Sequence, residues 1–248
     1  MRAIRHESIA PTRVQWMAAG ADIEPHRHDD HQLVYAARGV LTVTTGIGTW
    51  VAPANRAVWV PAGTVHAHRA HGPIDLHLVG VPASRRALDP GRPVVVTVDG
   101  LLRELILTYT REPATAGPER RRLFEVLLDR LTLSPEQPLH LASPTEPRLR
   151  RLCEILIADP ADPRTLDALG REVGASARTL TRLFTADTGM TFTRWRTQLR
   201  LHRALILLAE GRTVTAVAHA CGWATTGAFI DAFRGVFGHT PGAHRAQG

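Results

Sequence analysis

The sequence predicts an α+β fold of two domains, a β-barrel followed by two helices and then an all-α domain. Up to residue 81 the chain has short β-branched segments separated by Gly, Pro and Asn, whereas from residue 99 the apolar residues follow a helical period. Composition changes as well. Eight of the 13 histidines lie in the first 80 residues, while residues 146–248 hold 14 arginines against nine acidic residues. This difference indicates two domains with different functions.

The overall charge favours a polyanionic partner. The 248 residues include 30 basic side chains, all arginine, against 23 acidic ones, which gives a net charge of +7 and a pI near 10.9. Such a balance points to nucleic acid or a membrane surface. No apolar run approaches the roughly 20 residues of a membrane span, and the first residues lack the apolar segment of a secretory signal. We therefore expect a cytoplasmic protein without a membrane partner.

The first region is predicted to form strands at intervals of about 8–12 residues, which is typical of a sandwich or barrel. The predicted strands cover residues 32–36, 40–45, 49–52, 57–60, 76–81 and 94–98. Two amphipathic helices follow, over 99–112 with Asp99 as N-cap, and over 119–133. Their apolar faces fit packing on the barrel and pairing across a dimer equally well.

Two histidine-containing motifs in this region resemble those of the cupin barrel. The first cupin motif has the spacing G-x5-H-x-H-x3,4-E-x6-G, and residues 20–39 fit every spacing, with Gln32 where the family has its metal-binding Glu. The second, G-x5-P-x-G-x2-H-x3-N, is met in Pro61, Gly63 and His66 but lacks the first Gly and the final Asn. The resemblance implies a cupin-like β-barrel as the first domain.

Four of these side chains are candidate ligands of a metal ion. His26 and His28 alternate on one strand and so share a face, and His66 joins them from a neighbouring strand. Three imidazoles suit Zn, Fe, Ni or Cu, with the amide oxygen of Gln32 as a weaker, neutral fourth ligand. Without a metal, the same residues line a polar pocket for an organic effector. A divalent transition metal is the one cofactor that the sequence suggests.

The other histidines of this region fall outside the motifs. His31, His68 and His71 are expected at the surface or at the rim of the pocket. His77 lies in an apolar strand and is expected in the interior. None of these four is counted among the candidate ligands.

The second region begins after a stretch over 134–147 that is rich in Pro and Ser and is predicted to be a linker. The predicted domains therefore cover 1–133 and 148–246. Residues 166–173 and 177–187 flank a turn at Gly174, which is the helix-turn-helix pattern. The apolar face of the second helix points inward, so its Arg and Thr side chains suit base edges and phosphates. The candidate DNA contacts here are Ser176, which is also the N-cap, Arg178, Thr179, Thr181, Arg182 and Thr185.

A long helix over 192–209 leads to a second unit of the same kind. Residues 214–221 and 226–237 flank a turn, and the phenylalanines of the latter form an inner stripe at every fourth position. The candidate DNA contacts of this unit are Thr225, Thr226, Gly227, Asp231 and Arg234. Gly227 offers no side chain, and Asp231 either accepts from a cytosine amino group or repels phosphate. We therefore expect the first reading helix to give most of the specificity.

Residues 149–246 closely resemble the DNA-binding domain of AraC/XylS-type transcription regulators. The resemblance rests on SARTLTRLF (176–184), TGMTF (188–192), AVA (216–218), CGW (221–223), the AF and F of 228–233, and FGHTP (237–241). It implies two helix-turn-helix units joined by the long helix, with their second helices in adjacent major grooves of double-stranded DNA. It also implies that the cupin-like domain senses a small-molecule effector and mediates a homodimer, with RNA polymerase as a further partner.

We predict a ligand-responsive transcription regulator and not an enzyme. The alternative is a metal-dependent cupin enzyme, an oxygenase or isomerase with its metal at the motif histidines, but the missing motif Glu and Asn argue against it. A self-repairing alkyl-transfer protein needs a reactive cysteine, whereas Cys153 and Cys221 both lie on apolar helix faces. No catalytic residue is therefore predicted.

Overall fold

The computed structural model of the chain describes residues 4–85, 87–88, 91–111, 117–137 and 140–247, with the side chains of 137 and 245–247 left aside. The chain divides into two compact units, one over 1–46 and 50–140, the other over 47–49 and 141–248. The first unit is rich in strands and has two helices, and the second is helical. The predicted α+β fold class is confirmed.

The first unit contains more strands than the apolar segments of the sequence predict. The strands are β1 (Arg5–Glu7), β2 (Arg13–Met17), β3 (Asp22–His28), β4 (His31–Ala36), β5 (Val40–Thr45), β6 (Gly48–Pro53), β7 (Arg56–Val60), β8 (His66–His71), β9 (Ile74–Val81), β10 (Val94–Thr97) and β11 (Glu136–Gln137). The helices are α1 (Gly100–Arg111) and α2 (Pro118–Thr132). Of the additional strands, β3 and β8 hold the motif histidines, whereas β1, β2 and β11 are short or largely exposed and lack an apolar run.

The strands of this unit form two sheets that face each other. Their orders are β1-β3-β8-β5-β6 and β11-β10-β7-β4-β9-β2. β1 runs parallel to β3, whereas β3 and β5 both run antiparallel to β8. Since side chains alternate between the faces of a strand, β4 and β7 are buried along their whole length only because both of their faces are covered.

Helices α1 and α2 cover the outer face of the second sheet. Leu102 and Ile106 of α1 and Leu131 of α2 share one apolar cluster with Leu33 and Trp59. Of the two roles that the sequence left open for these apolar faces, packing on the barrel is therefore present. Asp99 accepts a hydrogen bond from the backbone N–H of Leu102 at 2.8 Å, which confirms it as the N-cap of α1.

The chain leaves the first unit along the short strand β12 (His140–Ala142), so the predicted linker contains two strands, β11 and β12. The second unit is then built from helices α3 (Pro147–Ala158), α4 (Leu166–Val173), α5 (Ala177–Thr188), α6 (Phe192–Ala209), α7 (Val214–Ala220), α8 (Thr226–Phe237) and α9 (Pro241–Gln247). Helix α9 was not predicted. Its signal in the sequence is Thr240 followed by Pro241, an N-cap and a first helical residue.

Besides Thr240 at α9, hydroxyl side chains begin five of these helices. Each accepts a hydrogen bond from the backbone N–H three residues ahead and so satisfies one of the free donors of the first turn. These N-caps are Thr165, Ser176, Thr191, Thr213 and Thr225. Leu152, Leu180, Phe184 and Trp195 form the core of the first helical half. Among the described residues, no helix has the length and apolar character of a membrane-spanning helix.

Candidate histidine centre and nucleic-acid interface

An irregularity in β3 brings His26 opposite His66. Ile23 pairs with His68 and His26 pairs with His66, so two residues of β3 lie opposite one residue of β8 between these pairs. Such a β-bulge moves the following side chains to the other face of the strand. With regular pairing, Pro25 would face His66. Because of the bulge, the side chains of His26, His28, His66 and His68 are all buried between the sheets.

Backbone carbonyl groups fix the orientation of three of these rings. The Nδ1 atoms of His26, His28 and His66 lie 2.9, 2.7 and 2.8 Å from the carbonyl oxygens of residues 24, 30 and 64. A carbonyl oxygen only accepts, so each Nδ1 carries the proton and donates it. In a neutral ring the Nε2 atom is then a free acceptor. A carbonyl partner on the far nitrogen is also the usual support of a histidine that binds a metal.

The rings form a compact group of acceptors. Ring centroids lie 4.3 Å apart for His26 and His66, 4.9 Å for His28 and His66, and 5.0 Å for His66 and His68. Two buried atoms of this group, Nε2 of His66 and Nδ1 of His68, have no hydrogen-bond partner in the described part of the chain. A buried polar atom without a partner costs about 1–3 kcal/mol. The arrangement therefore favours a cation or a ligand with donor groups at its centre.

Burial also keeps the rings neutral. It lowers the pKa of His66 to about 3 and the pKa of His68 well below its usual range, and the neighbouring histidines add to both effects. The pKa of His26 is lowered for the same reasons. Since a metal binds the neutral imidazole, these rings are available as ligands at neutral pH without losing a proton first. The donor set fits a divalent transition metal such as Zn²⁺.

The structure divides the four predicted ligands into two pairs. His26 and His66 each present a ring nitrogen that lies within 4.8 Å of the other's, and His68 completes that group of three. The other two, His28 and Gln32, face each other, with Nε2 of His28 3.3 Å from Oε1 of Gln32. Because Nε2 is an acceptor, this contact is a hydrogen bond when the amide turns its N–H group towards the ring.

Two of the other histidines correct the sequence analysis. His68 is not a surface residue, because it shares the inward face of β8 with His66, two positions away. His31 is also buried; its ring stacks on Trp59 and accepts from the backbone N–H of Ala62 at 3.0 Å. The sequence signal for His68 was the spacing His-x-His, the same as in residues 26–28.

His71 and His77 differ in burial. His71 is half-buried and contacts the hydroxyl of Thr42. His77 is buried as predicted and donates from Nδ1 to the hydroxyl of Thr110 at 2.6 Å. The Thr110 hydroxyl in turn donates to the carbonyl of Ile106. His77 therefore connects β9 with α1.

A cavity of about 710 Å³ lies along β3, β5 and β8 on the outer face of their sheet, where Ala67 and Arg69 alternate with the inward His66 and His68. Its walls include the apolar side chains of Ile23, Pro25 and Ala67 and the hydroxyl groups of Thr42 and Thr44. Its volume is in the range of small-molecule sites, which are mostly apolar with a few polar groups. The histidine rings are buried on the opposite face of this sheet, so the cavity and the histidine group are two separate candidate sites for an effector.

In the second unit, α4 and α5 form a tight helix-turn-helix. Gly174 has φ +70°, a conformation that favours glycine, and Gly170 lies so close to the turn that a Cβ atom there would stand 2.3 Å from the carbonyl oxygen of Ala175. Leu180 and Phe184 fasten α5 to the core. Most of the predicted DNA contacts on α5 are exposed: Ser176, Arg178, Thr181, Arg182 and Thr185, with Thr179 half-buried.

Helices α7 and α8 repeat this arrangement with different chemistry. Gly222 forms the turn with φ +76°, and Phe229, Phe233 and Phe237 are buried as predicted. On the outer side, Thr225, Gly227, Asp231 and Arg234 are exposed and Thr226 is half-buried. Asp231 and Arg234 form an ion pair at 3.7 Å. Arg234, the only arginine of α8, therefore has an acidic partner on the same helix.

Two arginines of α6 hold the loop between α3 and α4. Arg196 donates to the carbonyl oxygens of Arg164, at 2.8 Å, and of Asp162, and Arg200 donates to that of Pro160 at 3.1 Å. Neither side chain is fully exposed. The loop also contacts the second turn, since a Cβ atom on Gly222 would stand 2.7 Å from the Cα atom of Ala161. These contacts fasten the two helix-turn-helix units to each other.

Both cysteines are buried and free of disulfide bonds. Burial raises the pKa of Cys221 to about 11, and it raises the pKa of Cys153 further. A thiol of this kind is protonated at neutral pH and is a poor nucleophile. The alkyl-transfer alternative has no support.

Comparison with known proteins gives a consistent result for both units. Residues 8–113 match the family described as AraC-like ligand binding domain, and residues 169–247 match the family described as helix-turn-helix domain. The transcriptional regulator NimR of Escherichia coli K12 is 35% identical over 224 residues, which are 90% of this chain and 82% of NimR. The regulator RipA of Corynebacterium glutamicum is 36% identical over 127 residues, 51% of this chain and 35% of RipA.

Solved structures with a partial likeness include an AraC-type DNA-binding protein from Chromobacterium violaceum, with 30% identity over 42% of this chain and 93% of that chain and a TM-score of 0.39. Another is ToxT from Vibrio cholerae, with 8% identity over 96% of this chain and 98% of that chain and a TM-score of 0.42. The curated relatives are regulators and not enzymes, which leaves the cupin-enzyme alternative without support. The chain belongs to the AraC-type family of helix-turn-helix transcription regulators, with a cupin-like ligand-binding domain ahead of its DNA-binding domain.

Proposed function

We propose that this regulator places α5 and α8 in two successive major grooves of DNA, that α5 makes most of the base contacts, and that an effector bound in the barrel controls the complex. The recognition helices of such units enter grooves about one helical turn apart. The proposed contacts of α5 and its cap are Ser176, Arg178, Thr179, Thr181, Arg182 and Thr185. Those of α8 and its cap are Thr225, Thr226, Gly227, Asp231 and Arg234.

The observation that carries this proposal is the state of the arginines on the two helices. Within the described residues, Arg178 and Arg182 are exposed and make neither an ion pair nor a side-chain hydrogen bond. Arg234 of α8 is paired with Asp231. An unpaired guanidinium offers its full fork of donors to a guanine edge or a phosphate, whereas a paired one must first give up its partner.

The test is the affinity of arginine variants for an operator selected in vitro by the wild-type protein. Arg178→Ala and Arg182→Ala are each expected to weaken binding by about 1–3 kcal/mol, with relaxed specificity at one position. Arg151→Ala is the matched control, because Arg151 is exposed on α3 and paired with Glu154. If both α5 variants bind the operator like the control, the assignment of α5 is wrong.

For the effector, the support comes from the histidine group and from a cavity on the outer face of the same sheet. A small molecule of ordinary size fits a cavity of about 710 Å³. A metal ion among the histidines acts as a Lewis acid to which an oxygen or nitrogen donor of an effector binds. The ligand set predicted from the motifs is His26, His28, Gln32 and His66.

A homodimer and a contact with RNA polymerase complete the proposal. The apolar side chains of Leu101, Val126 and Leu133 remain exposed on and beside α1 and α2, although these helices already pack on the barrel. A dimer that covers them would link two DNA-binding domains and raise the affinity for a paired operator. Sedimentation at several protein concentrations tests the dimer. The contact with RNA polymerase stays a prediction from the family.

A further inference from the structure

His68 belongs to neither cupin-like motif, yet it lies within the histidine group. Its side chain is buried on the inward face of β8, with ring centroids 5.0 Å from His66 and 5.6 Å from His26. One ring nitrogen from each of these three residues lies within 4.8 Å of the other two. Three imidazoles from two neighbouring strands therefore converge without a carboxylate.

The hydrogen bonds around this group fix the Nε2 atoms of His26 and His66 as acceptors. Nδ1 of His26 and Nδ1 of His66 donate to backbone carbonyls, so their Nε2 atoms carry lone pairs. Nε2 of His66 and Nδ1 of His68 have no partner in the part of the chain that the structure describes. Lone pairs that face one another in the interior require a positive charge or a donor between them.

The other two motif residues, His28 and Gln32, contact each other. Nε2 of His28 lies 3.3 Å from Oε1 of Gln32, and this amide stands where the motif has its carboxylate. A neutral amide is a weaker ligand than a carboxylate. The imidazole of His68 is the side chain of the group that is free to replace it.

We propose that His26, His66 and His68 hold a divalent transition-metal ion, and that His68 takes the part that the motif assigns to a carboxylate. This rests on the proposed effector site in the barrel but not on the proposed DNA contacts. Three protein ligands leave a coordination position open for another molecule.

The experiment is a titration of metal-free full-length protein with Co²⁺, followed by visible absorption and by competition with Zn²⁺. His68→Gln is compared with His71→Gln as the matched control, because His71 is on the same strand but faces the other side. Wild type and His71→Gln are expected to bind one Co²⁺ per chain, and His68→Gln to lose more than about 100-fold in affinity, beyond the usual loss for a residue that only supports a ligand. His28→Gln is expected to lose less than about 10-fold.

A second variant, His68→Cys, keeps the proposal testable if His68→Gln does not fold. His68→Cys supplies a thiolate at the same position and is expected to show a sulfur-to-cobalt charge-transfer band that neither wild type nor His71→Cys shows. If His68→Gln binds Co²⁺ like His71→Gln while His28→Gln does not, the ion is held by the motif residues and the proposal for His68 is wrong. If no variant and no wild type binds metal but the selected operator is still bound, the metal site fails and the proposed DNA contacts stand.

Discussion

The two units differ in where their functional groups lie: in the interior of the β-rich unit and on the surface of the helical unit. The candidate site of the β-rich unit consists of buried, neutral histidines, whose positions depend on the register of two strands. The candidate site of the helical unit consists of exposed arginine and hydroxyl side chains on two short helices. The first site should therefore respond to protonation of the buried histidines or to binding of a cation among them. The second depends on which surface cations are already paired.

The largest expected difference between the two units is in stability at low pH, because a buried histidine makes the β-rich unit sensitive to acid. Burial, with Arg111 and Arg103 adding to it and Asp75 opposing it, lowers the pKa of His77 to about 4. Unfolded chains take up this proton below about pH 6.5, but the folded barrel does so only below about pH 4. The group thus stabilises the fold above pH 6.5. The free energy of unfolding should fall by about 1.4 kcal/mol per pH unit between these values.

His77→Asn isolates this effect in metal-free protein. Asparagine keeps a donor for Thr110 but does not titrate, so the slope of stability against pH, measured by urea unfolding of the barrel, should flatten by the contribution of one histidine. An unchanged slope in His77→Asn would mean that the acid sensitivity comes from elsewhere.

Close packing gives the next largest effect, within the helical unit. A methyl group at Gly170 would stand 2.3 Å from the carbonyl oxygen of Ala175, whereas at Gly227 the nearest atom is 3.9 Å away. Gly170→Ala is expected to lower the free energy of unfolding by about 1–3 kcal/mol. Gly227→Ala is expected to raise it by up to about 1 kcal/mol. Equal effects in urea unfolding would contradict the difference in packing between the two helix-turn-helix units.

The smallest effect concerns the ion pair on α8. Asp231→Ala releases Arg234 and should tighten binding to unrelated DNA a few-fold, with a salt dependence steeper by about one unit. Arg234→Ala should weaken binding to all sequences alike. If Asp231→Ala instead weakens binding to the selected operator and relaxes one base pair, Asp231 accepts from a cytosine amino group.

Most of the helical unit could be predicted from the sequence because its signals are local. Ser176 and Thr213 mark helix starts, and buried phenylalanines recur at every fourth residue of α8. The half-burial of Arg196 and Arg200 was not predictable, since their partners are backbone carbonyls more than 30 residues away. The outward direction of Arg178 and Arg182 follows from helical period alone.

The barrel was less predictable because its site depends on pairing between distant strands. The motif residues His26 and His66 lie opposite each other as predicted. They do so only because of a β-bulge at residues 24–25, which no local sequence pattern predicts. His31 and His68 fall outside the cupin motifs, so the sequence alone places them at the surface or at the rim of the pocket, whereas both are buried. Burial of β4 on both faces could be known only once α1 and α2 were seen to cover it.

The central claim is that the two recognition helices share a geometry but not a role, and the most direct measurement is the sequence preference of the protein in an in vitro selection from random DNA. We predict two preferred blocks about 10–10.5 base pairs apart. One block should be clearly the stronger, and the double variant Arg178→Ala, Arg182→Ala should lose that block alone. Two blocks of equal strength, or loss of both in the variant, would contradict the claim.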